Sequence, residues 1–136
     1  MVIVDTTVWS LALRRRTVDL SEHQFRLTQE LDELVREDRA RLLGSTRQEI
    51  LSGIRDDAQF ERIRSHLRIF EDVKLSADDY EEAARMSNRC SRSGIASSAA
   101  DMLICAVSGR RHWQVFSTDR DFAHYRHILG IRLFSV

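Results

Sequence analysis

The chain has 136 residues, 43% hydrophobic and 31% charged, with 21 basic residues balanced by 21 acidic ones. That size and composition suit one globular domain with a real hydrophobic core, residues 1–136, and exclude a disordered chain. Zero formal net charge excludes a protein that grips nucleic acid by bulk charge, while leaving room for a local basic face. Lys74 is the only lysine, and the arginine excess suits bidentate phosphate contacts but follows equally from a GC-rich genome. Cys90 and Cys105 have no secretory context and read as reduced thiols of a cytoplasmic protein. Asp5 interrupts the N-terminal apolar segment and Arg14, Arg15 and Arg16 follow it, which is not a signal peptide. No apolar run approaches the roughly 20 residues of a membrane helix.

Taken in chain order, Met1 to Val4 form a short continuous apolar run, the pattern of a strand buried in a parallel sheet. A helix follows in TTVWSLALRRR, with Asp5, Thr6 or Thr7 as its cap. Residues 21–38 place Phe25, Leu27, Leu31, Leu34 and Val35 at helical spacing, opened by Ser21 or Glu22. RLLGS (41–45) is a second strand candidate, followed at once by a helix through RQEILSGI. Residues 57–69 are helical, IFEDVKLS offers a short extended segment, and a helix over 77–92 starts after Ser76 with Asp79 at capping-box offset. SSAADMLICAVSGRR (97–111) is a strongly apolar helix, WQVFS a strand leading into a short helix, and IRLFSV a closing strand. Strands alternating with helices predict an α/β fold, a three-layer α/β/α sandwich around a parallel central sheet.

Four acids fall at equivalent places in this scheme. Asp5 ends the first strand, Glu49 lies in the first turn of the helix after the second, Asp101 opens helix 97–111, and Asp119 follows WQVFS with Asp121 two residues on. Parallel sheets bind ligands at the carboxyl ends of their strands, so these acids gather on one edge. Singly, each has an ordinary reading: Thr46 with Glu49 and Ser98 with Asp101 match capping boxes, and Asp5 and Asp119 match N-caps. Together they repel one another unless a cation neutralises them. Mg²⁺ or Mn²⁺, which take oxygen ligands, are the ordinary solution, and such a site suits in-line phosphodiester hydrolysis.

The blocks MVIVDTTVW, TRQEILSGI, SSAADMLICA and VFSTDRDF, in that order and spanning nearly the whole chain, resemble the four acidic blocks of PIN-domain ribonucleases, especially VapC-type toxins. The resemblance implies a PIN-like fold and a Mg²⁺- or Mn²⁺-dependent endoribonuclease, leaving 5′-phosphate and 3′-hydroxyl ends. It further implies inhibition by a VapB-type antitoxin and assembly as a homodimer. Carried over by position, Asp5, Glu49, Asp101 and Asp119 are the catalytic, metal-binding acids, Asp121 shares or replaces the role of Asp119, and Thr6 and Thr118 match the neighbouring hydroxyl positions.

Arg14, Arg15 and Arg16, and Arg110 and Arg111 beside His112, are candidate RNA-phosphate contacts, or else solvated helix ends favoured by the helix dipole. Trp9 and Trp113 suit base stacking, but core or dimer packing accounts for them better. His124 and His127 lack further ligands for a zinc site and read as surface residues; Cys105 reads as core. Two other functions compete with a nuclease. A haloacid-dehalogenase-like phosphatase wants a second acid where Thr7 stands and a lysine late in the chain, where none occurs. A non-catalytic PIN-like module that binds RNA or protein has no physical use for a carboxylate cluster that repels phosphate.

Overall fold

Val2, Ile3 and Val4 are each completely buried, yet they serve two different cores. Successive strand residues point to opposite faces, so Val2 and Val4 enter one cluster and Ile3 the other. These residues are β1 (Val2–Val4), and the computed structural model, which describes residues 1–136, pairs it in parallel with both neighbours. The sheet has the order β2-β1-β3-β4, with β2 at Ala40–Arg41, β3 at Gln114–Phe116 and β4 at Arg132–Leu133.

One face is covered by α1 (Thr6–Leu13), α2 (Glu22–Arg36), α3 (Gly44–Leu51) and α4 (Asp57–Leu67), through residues such as Val8, Leu31, Ile50 and Ile63. The other is covered by α5 (Ala77–Arg92), α6 (Ala99–Arg111) and α7 (Asp121–Leu129), through Met86, Ile104 and Tyr125 among others. The result is the three-layer α/β/α sandwich expected from the alternation of elements. α2 opens as the sequence suggests: Ser21 Oγ accepts the Gln24 amide at 3.1 Å and Gln24 Oε1 accepts the Ser21 amide at 3.0 Å. Trp9 is a core residue, its indole N–H donating to the Val4 carbonyl at 3.0 Å and its ring standing edge-on to Phe70. α6 is apolar on nearly every side, as a helix sandwiched between α5 and the sheet must be.

Two local expectations need correction. The second strand is Ala40–Arg41, and α3 begins at Gly44 directly after the fully buried Leu42 and Leu43. Glu49 therefore lies in the second turn of α3, and Thr46 is a buried residue of that helix, so the two form no capping box. The stretch IFEDVKLS contributes a single parallel bridge, Leu42 with Asp72, and no strand.

This topology creates the site. From β1 the chain crosses to β2 on one side, then re-enters the sheet at β3 on the other and continues outward to β4. The strand order reverses between β1 and β3, which opens a crevice at their carboxyl ends. The Asp5 amide donates to the Phe116 carbonyl at 2.9 Å and ties the two strand ends together there.

Candidate metal centre

Asp5 leaves β1 straight into that crevice and is 5% exposed. It is the N-cap residue of α1 by position, but its side chain makes no capping hydrogen bond. Instead Asp5 Oδ2 accepts from two hydroxyls, Thr7 at 3.0 Å and Ser117 at 2.8 Å. Thr7 in turn accepts the Thr118 amide at 3.0 Å, and Ser117 accepts the Asp119 amide at 3.0 Å. The loop after β3 is thereby fastened to the start of α1, and the Asp5 carboxylate is held by its partners rather than by the helix it begins.

Asp101 receives similar treatment from the other layer. Ser98 caps α6 by accepting the Asp101 amide at 3.1 Å, but the Asp101 carboxylate does not return the bond. It accepts from the buried Tyr125 hydroxyl of α7 at 3.1 Å. Burial pushes the Asp101 carboxyl up to about 6; the Tyr125 hydrogen bond opposes that rise, while the charges of Asp5, Asp119 and Glu49 add to it. Tyr125 is itself pushed upward, by burial first and by the Asp101 charge second. Glu49 reaches the same region from α3 and accepts from Thr6 Oγ1 at 3.1 Å. Asp119 accepts the Asp121 amide on Oδ1 at 2.9 Å, a turn that brings both side chains back toward α6.

Asp101, Asp119 and Asp121 offer carboxylate oxygens that all lie within 4.8 Å of one another, with Asp5 and Glu49 close enough for their charges to act on Asp101. The arginine–carboxylate pairs of the protein all involve other acids, so no arginine or lysine lies within ion-pairing distance of these five. An all-oxygen donor set with no protein cation is what a hard divalent ion such as Mg²⁺ fits, and softer metals would want nitrogen or sulfur. The nearest thiol, Cys105, is buried and pushed well above its usual range by that burial.

The arginine candidates separate. Arg14, Arg15 and Arg16 are exposed beyond the end of α1, and Arg15 lines a cavity that reaches the acids through Thr6, Thr7 and Thr118. Arg110 and Arg111 occupy the last turn of α6, roughly 13–15 Å along the helix from Asp101 at its start. There they engage the 1%-exposed Asp79, Arg110 at 2.5 Å and Arg111 at 3.4 Å, and Arg111 also lies over the Trp113 ring. Burial alone would raise the Asp79 carboxyl, but the Ser76 amide and the two arginines outweigh it and hold it below the ordinary range. The structure thus joins Asp5, Glu49, Asp101, Asp119, Asp121 and Thr6 at one place and leaves Arg110 and Arg111 elsewhere. Thr118 takes part through its amide, and the hydroxyls that serve Asp5 belong to Thr7 and Ser117. Tyr125 is the residue that sequence reasoning missed, although Phe122, Tyr125 and Leu129 mark an apolar face on α7.

The combination defines a class: parallel α/β/α proteins whose switch-point crevice is lined by carboxylates. Within it, the chain belongs to the PIN-domain family, whose family model matches residues 2–128. Toxins of that family are generally nucleases, and PIN nucleases use a divalent metal. No curated protein matches the sequence. Among solved structures it is similar to FitAcB from Neisseria gonorrhoeae, with 20% identity and a TM-score of 0.76 over 99% of this chain and 97% of that one. It is also similar to VapBC2 from Rickettsia felis bound to a promoter DNA fragment, at 13% identity and TM-score 0.71 over 98% of each chain. A toxin–antitoxin complex from Klebsiella pneumoniae matches at 18% identity and TM-score 0.67 over 90% of this chain and 91% of that one. At these identities the likeness is one of fold.

Proposed function

We propose that this protein is a Mg²⁺- or Mn²⁺-dependent endoribonuclease, the toxin of a VapC-type toxin–antitoxin pair. The observation that carries the reading is the group of five acids with no protein cation, three of them with oxygens within 4.8 Å. Asp101, Asp119 and Asp121 hold the metal, with Asp5 and Glu49 completing the acidic wall through direct or water-mediated contacts. When bound, the metal supplies Lewis-acid stabilisation of charge on the phosphate and acidifies the attacking water. The chain's own groups do the positioning. Thr7 and Ser117 fix one oxygen of Asp5, Tyr125 fixes one oxygen of Asp101, and Thr6 steadies Glu49. Each carboxylate keeps further oxygen lone pairs, so a metal that meets the scissile phosphate would be held by side chains that need no rearrangement.

The partner in this reading is a small antitoxin of the VapB type, as the family resemblance implies and as the Klebsiella pneumoniae toxin–antitoxin complex supports for a chain of the same fold. That the toxin is itself dimeric is implied by the resemblance alone. No helix is long and apolar enough to cross a membrane, and the proposed place of action is the cytoplasm. Cleavage of total bacterial RNA by the antitoxin-free protein tests the activity, with Mg²⁺ or Mn²⁺, with EDTA, and with Asp101→Asn alongside. Discrete products that require both metal and Asp101 are expected. Absence of cleavage by folded protein across metals and RNA pools would overturn the nuclease in favour of a binding module.

A further inference from the structure

The acidic wall attracts a metal but repels the rest of an RNA strand, so the strand needs a neutral or cationic path on at least one side of the scissile phosphate. One such path adjoins the acids. A cavity of about 520 Å³ lies between α1 and α2, and its inner end is formed by Thr6, Thr7 and Thr118. Thr6 and Thr7 are the same residues that hydrogen-bond Glu49 and Asp5, so cavity and acidic crevice are continuous. Its volume lies within the range of about 300–1,000 Å³ typical of small-ligand sites.

We infer that this cavity is the binding site for the nucleotide next to the scissile bond, with Arg15 taking its outer phosphate and His23 and Gln24 facing its base. The inference rests on the nuclease reading above. The lining residues support it: Thr7 and Leu11 are one turn apart on α1, Arg15 follows just beyond its end, and His23, Gln24 and Leu27 share one face of α2. The buried Leu11 and Leu27 supply an apolar floor of the kind a base ring covers. No carboxylate lines the cavity, in contrast to the crevice beside it. Arg15 is exposed and enters no ion pair with any protein acid. It lies just past the end of α1, whose eight residues from Thr6 span about 12 Å, which leaves room for a sugar and base between the two ends. Gln24 spends its side-chain oxygen on the Ser21 amide and keeps its amide hydrogens free to donate. The exposed His23 imidazole offers a stacking face and a ring nitrogen.

The test measures binding apart from chemistry. Fluorescein-labelled 2′-O-methyl RNA hexamers of A, C, G and U are titrated by anisotropy against the full chain in EDTA, where no cleavage occurs. Wild type is compared with Arg15→Ala, Arg15→Lys, His23→Ala and Gln24→Ala, each checked for an unchanged melting temperature. Arg15→Ala is expected to weaken all four hexamers about 5–10-fold and to lower the salt slope by about one ion, with Arg15→Lys recovering part of the loss. His23→Ala and Gln24→Ala are expected to narrow the spread of affinities among the hexamers at least 3-fold. Wild-type affinity in all variants, or no binding by the wild type, overturns the cavity assignment and leaves metal-dependent cleavage to be judged by its own assay. Losses as expected in a protein that cleaves no RNA would keep the site and remove the nuclease.

Discussion

Asp101→Asn should make the metal-free protein more stable, not less. In the folded chain burial pushes the Asp101 carboxyl from its usual 3.8 up to about 6, against a hydrogen bond from Tyr125 that favours the charged form. At neutral pH the carboxylate is charged in both folded and unfolded states, and the folded state disfavours that charge by roughly 3 kcal/mol. Asp101 is only partly buried, so solvent screening brings the expected gain to about 1–2 kcal/mol. For a domain of this length that is a rise of about 5 °C in melting temperature. Asparagine keeps an oxygen that can accept from Tyr125, so packing and hydrogen bonding are preserved. The sign with pH follows from the raised value. Between about pH 4 and 6 the folded wild type binds a proton that the unfolded chain does not, so Asp101 disfavours folding less as pH falls. The advantage of the asparagine variant should be full at pH 8 and should close as pH drops through 6. Denaturation in EDTA at pH 8, 6 and 4.5 reads this directly. Adding Mn²⁺ should reverse the order, stabilising wild type by about 2.7 kcal/mol at a hundred times its dissociation constant while moving the variant little. An asparagine variant less stable at pH 8 in EDTA, or a gap that does not change with pH, would refute the picture of a strained, cation-seeking carboxylate.

Other outcomes follow from the same geometry. Tyr125→Phe removes the hydroxyl that supports the charged form of Asp101 and should widen the stability gap between pH 8 and pH 4.5 by about 1 kcal/mol, measured by the same unfolding curves. Asp119→Asn and Asp121→Asn, titrated with Mn²⁺ by calorimetry, should each weaken binding at least about 10-fold if both are ligands; loss confined to one would identify the fourth acid. Arg110→Ala strips one partner from the buried Asp79 and should cost about 1–3 kcal/mol in urea unfolding, the Ser76 amide and Arg111 limiting the damage. Because the Asp79 carboxyl is held low, its stabilising contribution is present at neutral pH and is lost as pH falls below about 4. RNA cleavage per folded molecule should be unchanged in Arg110→Ala; slower cleavage at normal stability would bring Arg110 back as an RNA contact.

The layered architecture was legible because alternation and period are set by burial. Val2–Ile3–Val4 could only be a buried strand, and the all-apolar body of α6 could only lie inside. Asp5, Asp101, Asp119 and Asp121 were legible as a set because each stands just past a strand or at the start of a helix, where parallel topology places ligand-binding edges. Local readings failed where two physical causes leave the same trace. Leu42 and Leu43 look like strand residues, yet Leu43 is the cap position of α3, so the helix starts earlier and Glu49 moves a turn inward. Tyr125 sits between charged and polar neighbours in HYRH and reads as surface, although one helical face there is buried. The hydroxyls on Asp5 come from Thr7 and Ser117 because the strand-end pairing of β1 with β3, which no local pattern reports, decides which hydroxyl faces it.

The bond between Ser117 and Asp5 joins residues 112 positions apart, and the Tyr125 hydroxyl reaches Asp101 from nearly the end of the chain. During synthesis β1, β2 and α1–α6 are made before β3, Ser117, Asp119 and α7. Until they dock, Asp5, Glu49 and Asp101 stand on an unfinished sheet without Asp119, Asp121 or the Ser117 and Tyr125 hydroxyls that orient Asp5 and Asp101. A growing chain that has not yet made β3 and α7 therefore lacks the assembled carboxylate group and, under the proposed function, could not yet cut RNA. The acidic group is complete only once β3 and α7 have docked on the sheet that the earlier strands began.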